Sequence, residues 1–193
     1  MSELLNIDKS KTALVVIDLQ KGVVGRETKP YTANSVVANA AKLADVFRSN
    51  NMPVFLVRVT PSPDMKDGLN PIADRKTQWG GNMKPDWNEI VNELGPKTND
   101  FVITKHQWGA FYGTELDLQL RRRNINTIIL CGISTNIGVE STARFAYEYG
   151  YQQIFIEDAM SALSKEEHEQ TINIIFPRIG RVRKTKDVLD ELK

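Results

Sequence analysis

The chain has 193 residues, of which 41% are hydrophobic and 25% charged, so we expect a single domain over residues 1–193 with one substantial core. Its formal net charge of +1 argues against a nucleic-acid partner. One cysteine, Cys131, excludes an internal disulfide, and with two histidines we expect no metal and no cofactor. No apolar run approaches the ~20 residues that span a bilayer, and the N-terminus lacks a signal-peptide pattern. We therefore predict a cytoplasmic protein without a membrane partner.

Short apolar runs rich in β-branched residues predict the strands of a sheet. In chain order they are Thr12–Asp18, Pro53–Val59, Phe101–Thr104, Thr127–Cys131 and Gln153–Ile156, with a short final strand near Gly180–Arg183. Runs that are apolar on both faces are typical of a parallel sheet covered on each side.

Helical spacing of apolar residues fills the gaps between these strands. The expected helices begin after Asn34, at a capping box of Thr114 and Asp117, after Asn136, at a capping box of Ser164 and Glu167, and at Lys184. Strands that alternate with helices in this way predict βαβ units and a three-layer α/β/α domain.

The segment from Thr60 to Pro96 breaks the alternation. It holds five of the eight prolines and shows no clear period. We interpret it as a long excursion over the carboxyl edge of the sheet, with one short helix around Trp87–Leu94. Long irregular segments in compact domains are often lids or binding loops.

Polar groups follow three of the predicted strands, and open parallel sheets bind ligands beyond the carboxyl ends of their strands. Asp18 directly follows an apolar run, where a carboxylate is poorly solvated, and it is either a functional acid or a cap for the next segment. Lys105 either reaches back to pair with Asp18 or lies in solvent. The turn at residues 132–138 either offers backbone N–H groups to an anion or is an ordinary strand-to-helix connection.

Together these segments resemble the isochorismatase-like, or cysteine hydrolase, family. The first shared segment is ALVVIDLQ at residues 13–20, the second is KHQWGAFYGT at residues 105–114, and the third is GISTNIGVESTAR at residues 132–144. The match extends from about residue 11 to 190. It implies a six-stranded parallel sheet with flanking helices, in agreement with the predicted strands.

The resemblance also implies a catalytic constellation with one member altered. Family members that hydrolyse amides use an Asp–Lys–Cys triad, and Asp18 and Lys105 match its first two residues. Gly138 stands where the nucleophilic cysteine is expected, which excludes covalent thioester chemistry there. Cys131 is expected to be a buried core residue, with a catalytic role as the alternative. The stretch Arg58–Pro61 lacks the histidine of the family's metal motif, so no metal is expected.

A site without this cysteine also belongs to the family's true isochorismatases, which place glycine there. In them the carboxylic acid that corresponds to Asp18 protonates a vinyl ether, and water captures the resulting oxocarbenium ion. Burial would raise the pKa of Asp18 toward the neutral range that this chemistry needs, whereas Lys105 would oppose the shift. This chain departs from them at Ser134, where they commonly have a tyrosine.

The pocket residues that we expect to contact substrate lie close to this triad. They are Gln20, Trp108, Ser134, Thr135 and Asn136, with Arg75 and Gln78 as further candidates in the long loop. The resemblance also implies a cis peptide bond near Ile133–Ser134.

These observations predict a metal-free hydrolase of a small, anionic organic molecule that uses acid–base chemistry of Asp18 and Lys105. Isochorismate is one candidate substrate. The alternative is a homologue that keeps the pocket and binds a small ligand without catalysis. Because family members usually self-associate, we expect a homo-oligomer, either a dimer or a tetramer.

Overall fold

The centre of the molecule is a sheet of six parallel strands, as seen in a computed structural model that describes residues 5–74 and 83–193. The strands are Thr12–Ile17 (β1), Val54–Val59 (β2), Phe101–Lys105 (β3), Thr127–Ile133 (β4), Gln152–Ser161 (β5) and Arg181–Arg183 (β6). Their order across the sheet is β3-β2-β1-β4-β5-β6. All six predicted strands are confirmed, and β4 and β5 extend further toward their carboxyl ends than predicted.

Helices connect the strands and cover the sheet. They are Lys21–Val24 (α1), Ala33–Ser49 (α2), Leu116–Arg122 (α3), Glu140–Glu148 (α4), Lys165–Gln170 (α5), Phe176–Ile179 (α6) and Thr185–Leu192 (α7). Two π-helical turns, Thr135–Val139 and Thr171–Ile175, lead into α4 and α6. Within residues 5–74 and 83–193, no helix is both long and apolar enough to cross a membrane.

Each face of the sheet packs against its own layer of helices. On one face, Leu43 of α2 and Leu192 of α7 belong to the same buried cluster as Val16 of β1. On the other face, Ala143 of α4 and Phe176 of α6 join a second buried cluster, which includes alternate residues of β1. Successive side chains of a strand point to opposite faces, so a strand between two helical layers is buried throughout, as β1 is. The predicted α/β/α layering is confirmed.

The predicted capping box of Ser164 and Glu167 is confirmed, whereas the predicted N-cap Asn34 is wrong. Ser164 accepts a hydrogen bond from the Glu167 amide at 3.2 Å, and Glu167 accepts one from the Ser164 amide at 3.1 Å. The helix α2, in contrast, begins one residue before Asn34, and its N-cap is Thr32, whose hydroxyl accepts from the Ser35 amide at 3.2 Å. Both residue types cap well, so the spacing of the apolar residues did not distinguish them.

The predicted capping box of Thr114 and Asp117 is wrong. The hydroxyl of Thr114 donates to the carbonyl of Ala110 at 2.6 Å and accepts from the amide of Leu116, the first residue of α3, at 3.1 Å, but it forms no bond with Asp117. The Asp117 carboxylate instead accepts hydrogen bonds from Tyr151 at 2.8 Å and Arg121 at 3.1 Å. A tertiary contact therefore takes the carboxylate that the capping box would need.

The helix predicted around residues 87–94 is also wrong, because this segment forms turns. Its backbone is bonded to the chain that follows β1. The Lys21 amide donates to the carbonyl of Glu89, and the Gly22 amide donates to the carbonyl of Trp87, both at 2.9 Å. These bonds use carbonyl groups that a helix would bond internally. They also hold the second half of the long loop against the carboxyl end of β1.

Candidate active site

The topology of the sheet brings two of the predicted site segments together. β1 and β4 are neighbours at the centre, and the chain continues from them toward opposite edges of the sheet. A crevice forms beyond the strand ends at such a switch point, and it is the usual ligand site of open α/β sheets. Asp18 directly follows β1, and the turn at residues 134–139 directly follows β4.

The backbone at Asp18 turns sharply as it leaves the sheet. Asp18 has a φ of 53°, in the left-handed region that aspartate tolerates better than most residues. Its amide still donates to the carbonyl of Val57 at 2.9 Å. The carboxyl group is thereby held at the sheet edge, and the residue is only 6% exposed.

Lys105, the last residue of β3, reaches across the edge of the sheet to this carboxyl group. Its Nζ lies 2.8 Å from Asp18 Oδ2 and donates to the carbonyl of Trp108 at 2.6 Å. Lys105 is 1% exposed, so the pair is removed from water. The predicted ion pair is confirmed, and the alternative of a solvent-exposed lysine is excluded.

Burial raises the pKa of the Asp18 carboxyl above its ordinary value, although the charge and the hydrogen bond of Lys105 both act to lower it. Only Oδ2 has a partner, since Oδ1 is buried without a hydrogen bond to any residue in the described part of the chain. A buried carboxylate oxygen without a donor is poorly stabilised. The environment of Asp18 therefore favours the protonated acid more than water does.

The carboxyl end of β4 passes unusually close to β1. Gly132 has a φ of 130°, and a Cβ atom there would lie 2.1 Å from the carbonyl oxygen of Ile17. A residue with a side chain could not occupy this position without moving one of the strands. The peptide bond between Ile133 and Ser134 is cis, as predicted.

Gly138 lies directly against the Asp–Lys pair. A Cβ atom built on it would lie 3.0 Å from Asp18 Oδ2, 3.0 Å from Ile17 Cγ2 and 3.4 Å from Lys105 Nζ. A longer side chain at this position would therefore project into the pair itself. With glycine there, the position contributes no functional group and crowds neither partner.

Thr142 connects this glycine to the loop after β3, a role that the sequence did not reveal. Its buried hydroxyl donates to the carbonyl of Gly138 at 2.7 Å and accepts from the amide of Ala110 at 3.1 Å. The same loop carries the Trp108 carbonyl that binds Lys105. Thr142 follows Gly138 by one helical turn, and this spacing is the only signal that the sequence gives for the contact.

The three predicted contacts in the turn have different environments. Thr135 is fully buried, and its hydroxyl lies 2.9 Å from Nδ1 of His168. Ser134 and Asn136 are half-buried, and Asn136 Oδ1 has no hydrogen-bond partner among residues 5–74 and 83–193. Ser134 and Asn136 are therefore the members of this group that are partly exposed, although the Oδ1 atom of Asn136 is itself buried.

Each of the other two predicted contacts follows one member of the pair in sequence, Gln20 after Asp18 and Trp108 after Lys105. The Gln20 side chain is buried, and its amide donates to the carbonyl of Val59 at 2.9 Å and accepts from the Val59 amide at 2.8 Å. It braces the end of β2. Trp108 is 48% exposed, and its carbonyl binds Lys105; its contact with substrate stays a prediction. Arg75 and Gln78 lie outside the described residues.

Cys131 is fully buried inside β4, and burial raises the pKa of its thiol to about 12. A thiol with this pKa is not a nucleophile near neutral pH, which confirms its prediction as a core residue. In the described ranges, 5–74 and 83–193, no group of three or more His, Cys, Asp or Glu side chains could hold a metal ion.

Comparison with known proteins identifies the family. The model of the isochorismatase domain matches residues 12–187. YwoC, an isochorismatase family protein of Bacillus subtilis (strain 168), is 55% identical over 194 residues that cover 100% of both chains. YecD, an isochorismatase family protein of Escherichia coli O157:H7, is 50% identical over 189 residues, covering 98% of this chain and 100% of the relative.

A solved structure agrees with these relatives. An isochorismatase family protein from Burkholderia thailandensis superimposes with a TM-score of 0.90 at 44% identity, covering 95% of this chain and 96% of the other. The α/β/α fold described above is therefore the fold of this family. The chain is a member of the isochorismatase family, whose members are hydrolases.

Proposed function

We propose that this protein hydrolyses a small, anionic organic molecule by acid–base chemistry of Asp18 and Lys105, without a covalent intermediate. The observation that carries the proposal is Gly138, which supplies no side chain at a position 3.0 Å from Asp18 Oδ2. A triad of the Asp–Lys–Cys type needs its nucleophile at this point of the site. Chemistry that requires only an acid and water does not.

Hydrolysis of an enolpyruvyl vinyl ether, as in isochorismate, fits these groups. The carboxylic acid of Asp18 donates its proton to the terminal methylene carbon and leaves an oxocarbenium ion. Water adds to that ion and loses a proton, and the hemiketal collapses to pyruvate and an alcohol. Each step requires proton transfer and charge stabilisation, which Asp18 and its surroundings can supply.

The buried environment of Asp18 supports its role as the proton donor. A general acid must hold its proton near the working pH, and burial raises the pKa of this carboxyl group. Lys105 keeps the carboxylate that remains after proton transfer from being an unpaired buried charge, since its Nζ lies 2.8 Å from Oδ2. In this proposal the pair is reset by a proton from water after each turnover.

An anionic substrate is supported by the turn after β4. The first amides of a helical segment have no partner within the helix and attract negative charge. We propose that the substrate carboxylate binds at residues 134–138, with polar contacts from Ser134 and Asn136. In this proposal Trp108 packs over the apolar part of the substrate.

A substrate panel with matched variants tests the proposal. Wild type, Asp18→Asn and the exposed control Asp8→Asn are assayed on isochorismate and on small amides across a range of pH. We expect vinyl ether turnover by wild type and by the control, and a loss of about 10²–10⁴-fold in kcat/KM for Asp18→Asn. Activity should fall as the pH rises through the pKa of Asp18, because the acid loses its proton.

Two results would overturn the proposal. Full activity of Asp18→Asn would show that the carboxyl group is not the acid. Tight binding of panel compounds by wild type without turnover of any of them would favour the alternative of a ligand-binding homologue.

A further inference from the structure

His168, one of the two histidines of the chain, lies buried behind the active-site turn. It belongs to α5, is 2% exposed, and places Nδ1 2.9 Å from the hydroxyl of Thr135. Thr135 is the first residue of the π-helical turn that ends next to Gly138. The imidazole thus contacts the active-site turn through this hydroxyl.

The surroundings of His168 favour the neutral imidazole. The ring of Tyr31 packs edge-on against it at 5.8 Å between centroids, and the Tyr31 hydroxyl donates to Glu157 at 2.7 Å. The charges of Glu157 and of Glu169, which lies on the same helix as His168, both act to raise the pKa of the imidazole. Burial lowers the pKa of His168, and this exceeds the opposite effects of Glu157 and Glu169.

The free ring nitrogen indicates which tautomer is present. Nε2 is buried and has no hydrogen-bond partner within the described ranges. An unpaired acceptor is tolerated in a protein interior more often than an unpaired N–H group. The proton of the neutral ring therefore lies on Nδ1, where it is donated to the hydroxyl of Thr135.

We propose that neutral His168 is a positioning residue for the active site, holding Thr135 and with it the turn that carries Gly138, and that protonation of the ring releases this turn. Protonation would create a buried N–H group at Nε2 without an acceptor, which costs free energy that the ring can avoid only by moving. The inference rests on the function proposed above for the turn. It adds an acid-side loss of activity that Asp18 does not cause.

Paired variants separate the hydrogen bond from the volume of each side chain. His168→Asn keeps a polar atom near the position of Nδ1 but does not titrate, and His168→Leu removes the bond. Thr135→Ser keeps the hydroxyl, and Thr135→Val removes it. The matched control is Thr12→Val, because the Thr12 hydroxyl is buried without a partner among the described residues at the opposite end of β1.

The first measurement is the pH profile of kcat/KM with isochorismate as the probe. Wild type and Thr12→Val should lose activity on the acid side as His168 gains a proton. His168→Asn should flatten this acid limb and leave the alkaline limb, set by Asp18, unchanged. His168→Leu and Thr135→Val should lose about 10- to 100-fold at neutral pH, the cost typical of a slightly misplaced site, and Thr135→Ser should retain most activity.

The second measurement is amide hydrogen exchange of residues 134–139, corrected for the intrinsic effect of pH. Exchange should be faster in His168→Leu and Thr135→Val than in wild type and Thr12→Val, and in wild type it should accelerate as the pH falls. An unchanged acid limb in His168→Asn, or equal exchange in all variants, would overturn the inference. If wild type turns over no vinyl ether, the proposed function fails separately, and the exchange data still decide the role of His168.

Discussion

Removing the positive charge from the buried pair should destabilise the protein, and the size of the effect follows from its burial. Lys105→Met keeps most of the aliphatic side chain and leaves Asp18, which is 6% exposed, without its only hydrogen-bond donor among the described residues. Where Asp18 is ionised, above its pKa, breaking a buried ion pair by removing one partner costs about 3–5 kcal/mol. With a urea dependence of about 2 kcal/mol per molar, the unfolding midpoint should fall by about 2 M.

The destabilisation should depend on pH in a direction set by Asp18. Its pKa in the folded protein is already raised by burial, and losing the lysine raises it further. A carboxyl group whose pKa is higher in the folded protein than in the unfolded chain stabilises the fold at pH values below its pKa in the unfolded chain. This stabilisation is lost as the pH rises through its pKa in the folded protein. The difference between Lys105→Met and wild type should therefore be small in acid and grow toward alkaline pH.

Urea unfolding followed by circular dichroism at several pH values measures this effect. Adding Asp18→Asn to Lys105→Met should restore much of the lost stability at pH values above the pKa of Asp18, because a neutral amide there replaces the unpaired carboxylate. Lys165→Met, at a side chain that is 59% exposed, is the control and should shift the midpoint very little. A deficit for Lys105→Met that is independent of pH and is not rescued by Asp18→Asn would refute the reasoning.

Three further predictions concern single positions. Gly138→Cys should introduce a thiol that iodoacetamide alkylates in the native protein, as detected by mass spectrometry. Cys131, with a pKa of about 12, should stay unmodified. An unreactive thiol at position 138 would contradict the close approach of that position to the Asp–Lys pair. Gly132→Ala should cost about 2–6 kcal/mol, from crowding against the Ile17 carbonyl and a positive φ, and a normal melting temperature would contradict this. Gln20→Leu should cost about 1–3 kcal/mol by leaving buried backbone groups of β2 unpaired, whereas an unchanged unfolding midpoint would argue against its bracing role.

The sheet could be predicted from the sequence because strands that are buried on both faces consist of continuous apolar residues. Each predicted strand is a run of apolar residues, and the end of the run locates the carboxyl edge within two residues for every strand except β5, which continues five residues beyond Ile156. The contact of Asp18 with Lys105 followed from this, since side chains that end parallel strands meet at one edge. Lys105 lies on β3, two strands away from β1, and its long side chain spans this distance to the Asp18 carboxyl group.

The parts that could not be predicted depend on contacts between distant segments. Thr142 bonds to Ala110, which is 32 residues away, and Thr135 bonds to His168, which is 33 residues away. Neither bond leaves a periodic pattern in the sequence. The missing helix at residues 87–94 has the same origin, because its backbone groups bond to the segment after β1. Local propensity predicts an element only where tertiary hydrogen bonds do not compete for its backbone.

The burial of Asp18 and the glycine at position 138 favour the same chemistry. A carboxylate that activates a thiol must be ionised before the reaction, whereas an acid that protonates carbon must hold its proton. Burial favours the protonated form, and the adjacent Gly138 offers no proton for a base to remove. A decayed amidase site would have no reason to keep a costly buried pair after losing its nucleophile, since such pairs rarely add net stability. The presence of Asp18 and Lys105 beside a glycine therefore supports the proposed proton-donating site over the alternative of a ligand-binding homologue without catalysis.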